Sequence, residues 1–147
     1  MTGQPIKKNL SILLFVQLVL IDYLCRSIEK PARTQDIRTI YRTPEFDAFY
    51  YALPLRVRNK FEYVFEVVQS VYNISTKFIK HLEKSDLYEM RVSIGSNEYR
   101  TILFAIDHDN VIEARKIVLL NGFLKKSSKD YRKQIDIAKT ILNELKK

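Results

Sequence analysis

The chain has 147 residues, of which 46% are apolar and 29% charged, enough for one compact core but hardly for two domains. Its three Gly and four Pro exclude collagen-like, low-complexity and wholly disordered classes. A single Cys and the lack of any Cys/His cluster with zinc-ligand spacing exclude a disulfide scaffold and a structural zinc site, so we expect no metal, no cofactor and a reducing compartment. The net charge of +8 favours a polyanionic partner such as nucleic acid or an anionic membrane surface.

The N-terminal part contains an apolar run over residues 10–21. As a helix this run would span about 18 Å, against about 30 Å of bilayer hydrocarbon, so it is too short to cross a membrane unaided. The bulky and charged residues 22–26 offer no ordinary signal-peptidase site. Three interpretations stay open: an export signal, a helix docked on the domain, and upstream sequence attached by a misassigned start. We assign 1–36 to this segment and its linker, and 37–147 to the folded domain.

Changes in periodicity after the linker predict the element order β-α-α-β-β-β-α. The β-branched run at 37–42 is typical of a strand. Thr43 and Pro44 suit the N-cap and first position of a helix, and Pro54 begins a second helix that keeps its spacing through Tyr72. We expect these two helices to form an antiparallel pair.

The second half of the chain predicts an antiparallel meander followed by a helix. Residues 87–94 alternate as a half-buried strand does, 98–106 form a second strand, and the apolar run at 117–120 suits a strand buried on both faces. Ser127 with Asp130 resembles a capping box. The apolar face of the last helix is predicted to consist of Tyr131, Ile135, Ala138, Leu142 and Leu145. The fold class is therefore α+β.

Three short sequence motifs narrow the choice among the folds that have this order of elements. They are KHL at 80–82 leading to LYEMR at 87–91, EYR at 98–100, and LLNGFLKK at 119–126. Each motif alone is weak, but the ordered set resembles the RelE/ParE toxin superfamily, in its phage-derived HigB-like branch. The resemblance covers about residues 37–145.

The resemblance implies a small RelE-like fold, in which the meander packs with the helical pair and the last helix. It also implies the toxin of a type II toxin-antitoxin system, a metal-independent endoribonuclease that enters the ribosomal A site, cleaves mRNA and inhibits translation. Its implied partners are the ribosome, mRNA and a cognate helix-turn-helix antitoxin. Such a protein is cytoplasmic and has no stable membrane insertion.

The motifs also supply candidate site residues. Arg91 and Arg100 match basic positions of the family, and a planar guanidinium binds two phosphate oxygens at once. We predict that both are catalytic together with His81, because imidazole titrates near neutral pH. His108, in a turn between two aspartates, is expected to have no catalytic part.

Four further residues are predicted to bind RNA: Lys80, Lys125, Lys126 and Tyr131. Tyr131 would stack on a base or else belong to the apolar helix face. Each candidate also has an ordinary structural reading, in which an Arg on the polar face of a strand is merely solvated and Glu89 is a surface neighbour of Arg91. From residue 111 onward the chain has ten Lys or Arg against four Asp or Glu, which supports a basic surface near the proposed site.

Two other functions remain open. The same superfamily includes non-catalytic toxins that bind a protein target such as gyrase, and the absence of an undisputed general base in the sequence leaves room for that alternative. A membrane-associated basic protein with residues 10–21 as an interfacial element ranks last.

Overall fold

The computed structural model describes residues 36–147, so every expectation for the apolar run lies outside the described residues. Within the described part, five strands and three helices follow one another. In chain order they are β1 (Thr39–Arg42), α1 (Pro44–Tyr51), α2 (Leu55–Ser70), β2 (Ile79–His81), β3 (Leu87–Ile94), β4 (Asn97–Ala105), β5 (Lys116–Leu124) and α3 (Ser128–Leu145). The predicted α+β class is confirmed.

The five strands form one mixed sheet in the order β1-β5-β4-β3-β2. Strands β2 to β5 pair antiparallel, which confirms the meander, and β1 pairs parallel with β5. The parallel pair was not predicted, and neither was β2, because a three-residue strand is too short to show alternation. As expected, β5 lies between two neighbours and is buried on both faces at residues 117–120.

Helices cover both faces of the sheet, which creates two cores. On one face α1 and α2 pack their aromatic rings on the sheet, and Phe46, Phe61 and Leu103 are each fully buried there. On the other face α3 packs Ala138 and Leu142 against buried apolar side chains of β4 and β5. The apolar face predicted for α3 is confirmed, with Tyr131 and Ile135 at its partly buried margin.

Two of the three predicted helix starts are confirmed by capping hydrogen bonds, and the remaining helix, α2, has Pro54 as its N-cap without a side-chain bond. The side chain of Thr43 accepts from the backbone N–H of Phe46 at 3.1 Å, and that of Ser127 accepts from the N–H of Asp130 at 3.1 Å. These bonds satisfy donors that the first helical turn leaves free. The end predicted for α2 was too late by two residues, since Val71 already has extended backbone with φ −96° and ψ 125°.

Arg38 explains why α2 stops there. This arginine is 1% exposed, and its guanidinium donates to the carbonyls of Val68 at 3.0 Å, Val71 at 2.6 Å and Tyr72 at 2.7 Å. Further bonds reach the loop before β5, at the Val111 and Ile112 carbonyls. A single buried cation therefore joins the start of β1, the end of α2 and the approach to β5.

Candidate functional site

Strand register brings the two predicted arginines together. Arg91 on β3 is the direct partner of Arg100 on β4, and Arg100 is in turn the partner of Phe123 on β5. Directly opposite residues point to the same face of a sheet. Both guanidinium groups therefore lie on the face that α3 covers, near the point where α3 begins.

A buried carboxylate stands between them. Glu89 is 2% exposed, and its Oε1 accepts from Nε of Arg91 at 2.8 Å and pairs with Nη2 of the same group at 2.7 Å. Nε of Arg100 lies 3.9 Å from that oxygen. The other carboxylate oxygen accepts a hydrogen bond from the Tyr131 hydroxyl. Glu89 thus joins two strands to α3.

The alternative interpretation, in which Glu89 is an ordinary surface neighbour of Arg91, was wrong. Alternation along β3 correctly puts both on the polar side of the strand, but that side lies under the start of α3 instead of in water. Burial of a carboxylate requires partners for its charge and lone pairs, and the two arginines and Tyr131 supply them. A Glu and an Arg two positions apart on one strand are the sequence signal for such a pair, although most such pairs are exposed.

Arg100 is almost as deeply buried, at 7% exposure. Its Nη1 donates to the Glu98 carboxylate at 3.0 Å and to the Tyr99 carbonyl at 3.1 Å. Hydrogen bonds from Ser93 and Arg100 lower the pKa of Glu98. Nε of Arg100 is buried and makes no hydrogen bond, so its interaction with Oε1 of Glu89 at 3.9 Å is that of an ion pair without a hydrogen bond.

Tyr131 lies at the margin of the apolar face of α3, while stacking of its ring on a base stays a prediction. Its ring is half-buried beside Phe123, with centroids 5.9 Å apart, and Nζ of Lys125 stands 5.5 Å from the ring centre. Its hydroxyl belongs to the cluster. Burial, followed by the hydrogen bond to Glu89, raises the pKa of Tyr131, so the hydroxyl keeps its proton at a pH above the ordinary tyrosine pKa of about 10.

The other predicted residues make no hydrogen bond to this cluster. Lys80 is the register partner of Glu89 and shares its face, but is exposed, as is Lys126. His81 is the partner of Tyr88 and lies on the opposite face, where its ring centroid is 5.0 Å from that of Tyr88. Its Nε2 is 2.8 Å from the Ser85 carbonyl. The structure therefore does not bring His81 to the two arginines.

None of the helices in residues 36–147 is long and apolar enough to cross a membrane. The same range has no group of three or more His, Cys, Asp or Glu side chains arranged to hold a metal ion.

The mixed sheet, its three helices and the charged cluster together define a small α+β protein compatible with the RelE-like fold. Residues 48–143 match a model of the phage-derived Gp49-like family (DUF891). The chain therefore belongs to this family, which is a RelE-like toxin family. Searches of curated proteins and of solved structures returned no match. The family relates the chain to toxin-antitoxin systems and implies an antitoxin partner, while the HigB-like assignment stays a prediction.

Proposed function

We propose that this protein is the toxin of a type II toxin-antitoxin system and cleaves mRNA on the ribosome. The observation that carries the proposal is the cluster of Glu89, Arg91, Arg100 and Tyr131, in which two guanidinium groups converge on one face of the sheet. Two properties of the chain support the proposal as well: it belongs to a RelE-like family, and its net charge is +8.

Metal-independent cleavage of RNA uses the ribose as its own nucleophile. The 2′-oxygen attacks the adjacent phosphorus and loses its proton to a base, while the P–O bond to the 5′-oxygen breaks and that oxygen takes up a proton. Negative charge accumulates on the phosphoryl oxygens in between. Cations fixed beforehand stabilise this charge without reorganising, and each well-placed donor contributes about 100- to 1000-fold.

The two arginines have different positions for this task. The side chain of Arg91 is 31% exposed and that of Arg100 8%. We assign Arg91 to entry and binding of the phosphate, and Arg100 to the phosphoryl oxygen that gains charge.

Glu89 and Tyr131 act mainly as positioning residues. Both oxygens of Glu89 already accept hydrogen bonds from this cluster. Glu89 is therefore better suited to act as a fixed counter-charge than as the base that accepts a proton. The protonated Tyr131 hydroxyl holds the carboxylate from α3. With Glu89 engaged in this way, the group that accepts the proton of the 2′-hydroxyl must come from the ribosome or from the substrate. We therefore expect cleavage to require the ribosome.

Lys80 is the register partner of Glu89, and Lys125 stands beside the Tyr131 ring. We assign these two exposed lysines and the exposed Lys126 to binding of the RNA backbone, since ammonium groups bind phosphates as point charges. A cognate helix-turn-helix antitoxin would hold the toxin inactive between uses. In this account neither His81 nor a metal takes part in the reaction.

Induction of the full chain without an antitoxin tests the proposal. We expect growth arrest together with cuts in a translated message that keep register with its codons, mapped by primer extension. An untranslated copy of the same message, with its start codon removed, is the control and should stay intact. Growth arrest with intact messages and loss of gyrase supercoiling activity would instead establish the gyrase-binding alternative.

A further inference from the structure

A group of aromatic rings and lysines lies at the edge of the sheet, where a ring of α2 meets the start of β2. β2 is the last strand in the sheet order, so this edge has no neighbouring strand within residues 36–147. Tyr63 on α2 is 51% exposed there. Its ring contacts that of Phe78, which directly precedes β2, with centroids 6.4 Å apart and planes at 64°. We call Lys60, Tyr63, Lys77 and Phe78 the edge patch.

Phe78 holds the Tyr63 ring in position. It is half-buried and packs against the core under α1 and α2, so its own ring is fixed. Tyr63 contacts it from the helix and leaves about half of its surface to solvent. A planar ring that is fixed on one side and open on another is suited to stacking with a second planar group, such as a nucleic acid base.

Each ring has an exposed ammonium group beside it. Nζ of Lys60 lies 5.1 Å from the ring centre of Tyr63, and Nζ of Lys77 lies 5.9 Å from that of Phe78. Glu66, one turn after Tyr63, is the acidic residue on the same face of α2. The two lysines therefore leave the edge patch with a positive charge, which favours an anionic ligand.

The edge patch adjoins the arginine cluster. The backbone N–H of Arg91 donates to the Phe78 carbonyl at 2.8 Å, so the patch begins at the next position across the sheet from Arg91, whose side chain is 31% exposed. Lys80 follows Phe78 by two residues and is exposed. Arginine and lysine groups thus continue from the cluster to the Tyr63 ring, which gives a polyanionic strand a path between the two.

We propose that the edge patch binds single-stranded RNA next to the phosphate held at Arg91, with one base stacked on Tyr63. Proteins that bind single strands combine cations along the backbone with aromatic rings on which bases stack, and the patch supplies both. The stem of a lysine is flexible, so its ammonium group can move from the ring to a phosphate as a base arrives. The inference rests on the proposed function only in naming the cleaved message as that strand.

A labelled 2′-O-methyl oligouridine, added to the full-length protein, separates this contact from cleavage because the methyl group blocks the attacking oxygen. Fluorescence anisotropy measures its affinity. Tyr63→Leu keeps an apolar side chain but removes the planar ring, and should bind about fivefold to 100-fold more weakly. Tyr63→Phe should stay within about twofold of the parent chain. Changing Lys60 and Lys77 to Gln should reduce the slope of log affinity against log salt by about 0.7 for each lysine.

Tyr72 provides the matched control. It is 47% exposed, but its hydroxyl donates to the carboxylate of Glu113, so it offers a base no cationic surroundings. Tyr72→Leu should bind the oligouridine within about twofold of the parent chain. The sequence has no Trp, so Tyr63→Trp and Tyr72→Trp each place a single indole. We expect the oligouridine to quench the fluorescence of the first and to leave that of the second unchanged.

The outcomes distinguish this inference from the proposed function. No binding by the parent chain, equal binding by Tyr63→Leu, or equal quenching at the two indoles would overturn the inference, even if the parent chain cuts translated messages. Binding that depends on Tyr63, in a chain that leaves those messages intact, would support the inference and contradict the proposed function. Should Tyr63→Leu fail to fold by circular dichroism, the quenching of Tyr63→Trp decides.

Discussion

The Tyr131 hydroxyl donates a hydrogen bond to Glu89, which precedes it by 42 residues. This bond fixes the first turns of α3 on the sheet at the point where Arg91 and Arg100 lie side by side. Because the same carboxylate binds the guanidinium of Arg91, the position of α3 and the position of a cation depend on one another.

Replacing Glu89 with Gln should lower the free energy of unfolding by about 3 kcal/mol, because two arginines lose their shared counter-charge in a mostly dry site. Urea denaturation measures the change. Glu98→Gln is the control: its side chain is 42% exposed, so its loss should cost less than about 1 kcal/mol. Equal effects of the two substitutions would contradict the central position of Glu89.

The Tyr131→Phe substitution isolates the hydroxyl, because it keeps the ring beside Phe123. Loss of a hydrogen bond to a buried charged group should cost about 1.5–3 kcal/mol of stability. Tyr72 also donates to a carboxylate, that of Glu113, but in an exposed position. Tyr72→Phe should therefore change stability by less than about 0.5 kcal/mol, and a larger loss there than at Tyr131 would show that burial does not determine the difference.

Stability should also fall at alkaline pH. The pKa of Tyr131 is raised in the folded state, so the folded chain holds this proton more tightly than the unfolded chain does. The resulting stability is complete below about pH 10, where the unfolded tyrosine begins to ionise, and is lost as the pH rises further. Urea midpoints measured from pH 8 to 11, values that bracket the ordinary tyrosine pKa of about 10, should decline less steeply for Tyr131→Phe than for the parent chain. Parallel curves would refute this.

A chain that begins at Ile37 should fold and keep its toxicity, since Arg38 is the first residue with extensive buried contacts in the described part. A chain that begins at Thr39 loses the five guanidinium bonds of Arg38 to backbone carbonyls and should be largely unfolded. Circular dichroism and growth assays of the two chains provide the comparison. If the longer chain is also insoluble or harmless, residues 1–36 belong to the functional domain.

Much of this fold was predictable from sequence because local chemistry determines it. Thr43 and Ser127 cap their helices with their own side chains, and the alternation of β3 follows from its burial. The parallel pairing of β1 with β5 was not predictable, since it depends on contacts between distant parts of the chain. Arg38 was missed for the same reason, because its acceptors are backbone carbonyls that carry no sequence signal.

The candidate site shows a similar division. Motif positions identified Arg91 and Arg100, and strand register then brings them together. His81 was included for its chemistry, yet a shift of one residue along a strand reverses the face, so Lys80 faces the cluster and His81 does not. Burial of Glu89 required knowledge of where α3 lies, which no local pattern contains.

Substitutions in the site should form a ranked series in cleavage of ribosome-bound mRNA. Arg100→Ala should have the largest effect, about 100- to 1000-fold, followed by Arg91→Ala. Replacing Lys125 and Lys126 together should weaken binding and reduce its salt dependence, whereas His108→Ala should have no effect. Initial rates at several salt concentrations separate effects on turnover from effects on binding. If replacing Lys125 and Lys126 lowered turnover and left binding unchanged, their assignment to RNA-backbone binding would be contradicted.

Cleavage of a defined message on programmed ribosomes by the purified full chain and by its Arg100→Lys variant tests the proposed activity most directly. The account predicts codon-registered cuts by the parent chain. It predicts about 100-fold slower cutting by the variant, because lysine keeps the charge but loses the planar fork that binds phosphoryl oxygens. Circular dichroism must show that the variant is folded. An intact message with the parent chain, or equal cutting by a folded variant, would contradict the claim that Arg100 stabilises the reacting phosphate.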